Sequence, residues 1–138
     1  MADTKKTIRL EIITPDASVF RGEVDFVLVR ALDGDLGIMP SHAPLLASLQ
    51  IWPLSCMIEN HKKNLFVSGG FLEVNSNTVT IVTLAAELAD QIDIKRAEEA
   101  KKRAENRLYR QAADLDVERA QLALHRALGR IKTVRISK

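Results

Sequence analysis

Val67-Ser68-Gly69-Gly70-Phe71-Leu72-Glu73-Val74-Asn75-Ser76-Asn77-Thr78-Val79-Thr80-Ile81-Val82 is the stretch that decides how this chain folds. Its Ser-Gly-Gly resembles a phosphate-cradling loop, but no Lys-Ser or Lys-Thr follows, and the next residues alternate as a strand instead of opening a helix. The two glycines therefore mark a bulge or a close approach of backbones. Asn75-Ser76-Asn77 predicts a hairpin turn, because Asn tolerates positive φ. Thr78 to Leu84 then returns as the partner strand.

Working toward the N terminus, the punctuation becomes dense. All four prolines and five of the six glycines lie at or before Gly70, and neither residue occurs from Phe71 to Leu128. Gly and Pro mark turns, so the architecture changes after Gly70. Further strand candidates are Thr7 to Thr14, with Ile8, Leu10 and Ile12 on one face, Ser18 to Gly22 and Val24 to Ala31. Leu45 to Leu49, Ile51 to Glu59, Asn64 to Val67 and Phe71 to Val74 follow. Strands this short and numerous predict a sandwich or barrel. Between two of them, Gly34-Asp35-Leu36-Gly37-Ile38-Met39-Pro40-Ser41-His42-Ala43-Pro44-Leu45-Leu46 is either an active-site loop or a shaped turn.

Toward the C terminus the period becomes helical from about Asp93, a good N-cap. One stripe runs Ala97, Ala100, Ala104, Leu108, Ala112; a second runs Val117, Ala120, Leu124, Ala127, Ile131, Val134, widened by Leu128. Gln111-Ala112-Ala113-Asp114 separates them without Gly or Pro, so a hairpin and one long helix both fit. Alanine methyls contribute only about 0.8 kcal/mol each on burial, against about 1 to 2 kcal/mol per ordered residue. The first helix is therefore expected to pack weakly and reversibly on the strands.

Several classes are excluded. No apolar run reaches the roughly 18 residues of a membrane span, and Met1 to Lys6 lacks the apolar core of a secretory signal, so the protein is expected to stay where it is made. Cys56 is the only cysteine, which rules out an intrachain disulfide and a two-cysteine zinc site and fits a core position. His42, His61 and His125 lack ligand spacing. Ser41 and His42 are adjacent, so their side chains diverge, and no Gly-x-Ser-x-Gly elbow accompanies them.

Charge is divided unevenly. Residues 1 to 92 carry 7 Lys or Arg against 11 Asp or Glu, net −4, and residues 93 to 138 carry 13 against 7, net +6. After Glu118 there are six basic residues and no acid, a tail that attracts an acidic surface. A nucleic-acid-binding helical hairpin, or a free-standing nucleotide-binding module, is the rival reading. Against nucleic acid, Glu98, Glu99 and Glu105 interleave with the basic residues, and Tyr109 is the only aromatic residue after Phe71.

Gly34 to Leu45 together with Val67-Ser68-Gly69-Gly70-Phe71-Leu72-Glu73-Val74 closely resembles the epsilon subunit of bacterial F-type ATP synthases. The likeness covers nearly the whole chain. It implies an α+β protein divided by segment: a ten-stranded β-sandwich over residues 1–88 that docks on the rotor, then a regulatory helical hairpin over residues 89–138. It further implies a non-catalytic central-stalk subunit, peripheral on the cytoplasmic face of the cell membrane and attached only through the complex. Its partners would be the gamma subunit, the membrane rotor ring of c subunits, and the catalytic beta subunit when the helices extend and inhibit ATP hydrolysis. Asp35 and His42 would dock on gamma and the ring; Arg119, Arg126 and Arg130 would approach beta.

Some bacterial members of this family bind ATP as a regulatory ligand, with no cofactor required. Ile92-Asp93-Ile94-Lys95-Arg96-Ala97 matches their Ile/Leu-Asp-x-x-Arg-Ala motif. By the same resemblance Glu87, Ile92, Asp93, Arg96, Ala97, Arg103, Arg126 and Arg130 are the site. Carboxylates can accept from ribose and adenine, while arginines at i and i+4 share a face and fork to phosphates. Two departures, Ser41 where glycine is usual and Trp52-Pro53 in the segment from Gln50 to Asn64, predict altered local turns and a changed strand path.

Overall fold

The computed structural model describes residues 6–110 and 113–138. Its strands are β1 (Ile8–Ile13), β2 (Ser18–Val24), β3 (Phe26–Ala31), β4 (Gly34–Ile38), β5 (Leu45–Ile58), β6 (His61–Asn75), β7 (Thr78–Val82) and β8 (Ala86–Leu88). A 3₁₀ turn (Ala89–Gln91) leads to the helices α1 (Ile94–Arg110) and α2 (Val117–Ile136). The strands neighbour one another in the order β2-β1-β7-β6-β5-β3-β4, with β8 beside β6, and only β1 and β7 run parallel. Period-2 alternation sends Ile8, Leu10 and Ile12 of β1, Val27 and Val29 of β3, Leu72 and Val74 of β6, and Val79 and Ile81 of β7 into one core.

The sandwich followed by two helices agrees with expectation, but the described residues form eight strands instead of ten. The difference lies in β5 and β6, of 14 and 15 residues, each of which runs through what reads in the sequence as two strands. In β6 the corner is Gly69-Gly70, with φ of 76° and 109°. A Cβ on Gly70 would lie 2.1 Å from the Val82 carbonyl oxygen, so only glycine lets the two backbones approach. Before this corner β6 pairs with β8, and after it with β7. In β5, Leu28 pairs with Ser55 but Ala31 with Leu49, so three residues of β3 face six of β5 and the excess bulges around Trp52-Pro53.

Turns follow their residue chemistry. Ser76 and Asn77 have φ of 51° and 56°, as a tight hairpin between right-twisted strands requires. Asn77 then ties two distant segments, donating from Nδ2 to the Thr7 carbonyl and accepting the Ser41 N–H at Oδ1, at 2.9 and 2.8 Å. Ser41 itself has φ of 62°, adopting the left-handed conformation at the position where glycine is usual in the family it resembles.

Each helix begins on an aspartate. Asp93 Oδ1 accepts the Arg96 N–H at 3.1 Å and Asp116 Oδ1 accepts the Arg119 N–H at 3.0 Å. The helices form a hairpin; of the expected break Gln111-Ala112-Ala113-Asp114, Gln111 and Ala112 lie outside the described residues. The alanine stripe of α1 meets α2 instead of the sandwich; it is α2 that lies across β5 and β6. A Cβ on Gly129 would come within 2.8 Å of Phe66 Cε1, so the helix backbone rests almost directly on that fully buried ring. The expected packing of the first helix on the strands is therefore not what forms: α1 packs on α2, and the second helix covers the sandwich.

Candidate functional site

Where the hairpin meets the sandwich edge, α1, α2, the 3₁₀ turn and β8 enclose a cleft of about 400 Å³. Glu87, Asp93, Arg96, Ala97, Arg103, Arg126 and Arg130 all line it. Antiparallel packing produces this convergence: the first three turns of α1 lie beside the stretch of α2 from Ala123 to Arg130, and β8 brings Glu87 to the mouth. Ala97, Ala100, Ala123 and Ala127 form the floor, because small side chains let the helices approach while leaving room above them. Ile92 does not line the cleft; it is half-buried, and its N–H closes the 3₁₀ turn on Ala89 at 3.3 Å. Ile92 acts on the backbone at the entry to α1.

Three cations dominate the cleft. Among the described residues Arg96, Arg103 and Arg126 have no ion pair, whereas Arg130 donates from Nε to Glu87 Oε1 at 2.5 Å. The Arg130 guanidinium also lies over the Phe66 ring, 4.6 Å from its centroid. This stacking tethers it to the sandwich while its edge faces the cleft. Glu87 and Asp93 are the acceptors, Asp93 spending one oxygen on its helix cap. A larger hollow of about 560 Å³ opens near the far end of α2, lined by Lys62, Lys63, Asp90 and Lys138. Volume alone favours that hollow; the convergence of three unpaired arginines with two carboxylates favours the smaller cleft.

Sequence reasoning missed Gln91, whose side chain accepts the Leu88 N–H at 3.3 Å and shapes the cleft wall. It also missed Phe66 beneath Arg130, which nothing in the local sequence signals.

The remaining candidates lie elsewhere. Asp35 is exposed on the edge strand β4, paired with Arg30 at 3.1 Å, and Arg30 in turn stacks over Trp52 at 4.0 Å. His42 is half-buried after β4, its Nδ1 2.7 Å from its neighbour's carbonyl at Ala43. Asp35 and His42 are thus held by separate partners. Arg119 is exposed at the start of α2. Cys56 is fully buried, and burial pushes its thiol up to about 11 despite the opposing charge of Lys63.

Among the described residues no His, Cys, Asp or Glu cluster is arranged to hold a metal, and no helix is long and apolar enough to cross a membrane. Two family models match in succession: "ATP synthase, Delta/Epsilon chain, beta-sandwich domain" over residues 7–89, and "ATP synthase, Delta/Epsilon chain, long alpha-helix domain" over residues 90–135. The chain belongs to the ATP synthase delta/epsilon family. Curated relatives called "ATP synthase epsilon chain" include one from Desulforamulus reducens, 46% identical over 127 residues, covering 92% of this chain and 96% of the relative. Another, from Bacillus velezensis, is 47% identical over 126 residues, covering 91% and 96%.

Solved structures share the fold. A chain in the Euglena gracilis mitochondrial ATP synthase cryo-EM structure (OSCP/F1/c-ring) superposes with a TM-score of 0.79 at 21% identity, covering 93% of this chain and 81% of that one. A chain of the Tetrahymena thermophila ATP synthase central stalk and c-ring gives 0.56 at 15% identity, covering 99% and 98%.

Proposed function

We propose that this member of the delta/epsilon family is a non-catalytic central-stalk subunit of a rotary ATP synthase, regulated by ATP bound in the cleft. Its sandwich docks on gamma and on the ring of c subunits, with Asp35 and His42 at the contacts, and it is held peripherally at the cytoplasmic face of the membrane through the complex. Its helices inhibit ATP hydrolysis when they extend toward the catalytic beta subunit, where Arg119, Arg126 and Arg130 meet acidic groups.

The observation that carries the nucleotide reading is the convergence of Glu87, Asp93, Arg96, Arg103, Arg126 and Arg130 on one cleft, from three separate elements. The donor set fits the ligand. Arg96, Arg103 and Arg126 supply charge-assisted donors for phosphate oxygens, while Asp93 and Glu87 can accept from ribose hydroxyls or the adenine amino group. A bound nucleotide would supply the anionic charge that these arginines lack. It would bridge α1, α2 and β8, so the folded hairpin gains stability by the usual linkage of ligand to the state that binds it.

Calorimetric titration of the full chain with ATP tests this. Saturable heat is expected, and Arg126→Ala should weaken binding about tenfold or more, the value of a hydrogen bond to a charged group. No heat at millimolar ATP would remove the nucleotide role.

A further inference from the structure

Ser55 and Asn64 are polar yet buried, on the face of β5 and β6 that α2 covers. They are direct cross-strand partners and begin a chain of directed hydrogen bonds. Ser55 Oγ donates to Asn64 Oδ1 at 2.6 Å, Asn64 Nδ2 donates to Ser137 Oγ at 3.0 Å, and Ser137 Oγ donates to the Thr133 carbonyl at 2.7 Å. The direction is settled by chemistry, since the Thr133 carbonyl can only accept and the Asn64 amide nitrogen can only donate. Thr133, fully buried, continues the chain by donating from Oγ1 to the Gly129 carbonyl at 2.7 Å.

Gly129 centres the other close contact of α2 with the sandwich, resting on Phe66, with Arg130 beside it stacked on the same ring and paired with Glu87. It precedes Ser137 by about 12 Å along the helix at 1.5 Å rise per residue. A single contact lets a helix pivot, whereas two set its axis. Of the other buried residues of α2, Ala120 and Ala127 are small side chains that interdigitate little and tolerate sliding, and the one large apolar side chain, Ile131, sits only two residues from Gly129. Arg126 and Arg130 lie either side of Gly129, so a pivot there would swing both relative to Glu87 and Arg96.

We infer that the Asn64–Ser137 hydrogen bond is the second anchor of α2, a positioning contact that aligns Arg126 and Arg130 with the cleft without touching the ligand. Asn64 is buried and Ser137 exposed, so the bond is part-buried, and polar pairs can specify register where apolar packing is indifferent to it. Only the affinity arm of its test rests on the nucleotide reading.

The test compares the full-length chain with Ser137→Ala, Ser137→Thr, Asn64→Ala and the Ala double variant, by amide exchange and by ATP titration. Ser137 lies beyond the last turn of α2, so removing its hydroxyl leaves the sandwich folded. Ser137→Ala should raise exchange from Ile131 to Ile136 by roughly 3- to 10-fold, the worth of one net hydrogen bond, while the strand amides keep their protection. ATP affinity should fall about threefold or more as the aligned fraction drops, and Ser137→Thr should restore both. Adding Asn64→Ala to Ser137→Ala should change α2 exchange no further. Unchanged exchange, additive effects in the double variant, or loosened α2 with full ATP affinity would each overturn the inference. If the unaltered chain takes up no ATP, the nucleotide reading fails, and the exchange arms still decide whether the anchor exists.

Discussion

Gly129→Ala sets two well-measured effects against each other. In an isolated helix the change is favourable by about 1 kcal/mol, because alanine loses less backbone entropy. Here the new methyl would sit 2.8 Å from Phe66 Cε1 and 3.2 Å from Cδ1, where carbon atoms settle at about 3.5 to 4.0 Å. Either the ring turns or α2 lifts by roughly 0.7 to 1 Å. The ring is fully buried and carries the Arg130 guanidinium on its face, so the helix should lift. Overpacking of this kind costs about 1 to 3 kcal/mol, leaving a net loss of docking of up to about 2 kcal/mol, or about 30-fold in the docking equilibrium. Amide exchange from Ala127 to Ile131 should therefore rise, while helix content by far-ultraviolet circular dichroism holds or increases. Protection equal to or above that of the unaltered chain would show that Phe66 yields, and the close-contact account of docking would be wrong.

Two further outcomes follow from local chemistry. Asp93→Ala removes the N-cap of α1 and should cost about 1 kcal/mol, seen as faster exchange in the first turn of α1 and weaker ATP binding; an unchanged first turn would mean that the Arg96 N–H finds another acceptor. Cys56 ionises at about 11 in the folded chain against 9.0 for the free thiol. Between those values the unfolded chain loses the proton first, so stability should be intact below pH 9 and fall by on the order of 2 kcal/mol as pH rises toward 11. Denaturant melts in that window measure it, and a Cys56→Ala chain should lack this component of the slope.

Local signals carried much of the fold. β1, β2 and β7, the Asn75-Ser76-Asn77 turn and the Asp93 cap are all written in period, turn chemistry or capping residues. β4 was hidden because Gly34 and Gly37 read as loop, although β3 pairs with it throughout its five residues. β8 is three residues long and exists only because β6 offers it a ladder after the Gly69-Gly70 corner. β5 and β6 each appear as two candidates because tertiary pairing carries one strand through Gln50 and the other through Ser68-Gly69-Gly70, where the sequence reading places breaks. The site residues were visible through resemblance, but their convergence depends on the antiparallel docking of two helices. The Arg130–Phe66 stack and the Asn64–Ser137 bond join residues 64 and 73 positions apart, beyond the reach of any periodic pattern.

The regulatory role of the hairpin is tested most directly by ATP hydrolysis in the reconstituted synthase, with the full chain and with a chain ending at Leu88, once both are shown to co-purify with gamma. The account predicts faster hydrolysis with the shortened chain, and slower hydrolysis with the full chain when ATP is low enough to leave the cleft empty. Equal rates for the two chains at every ATP concentration would contradict it, leaving the sandwich as a coupling element and the helices without an inhibitory role.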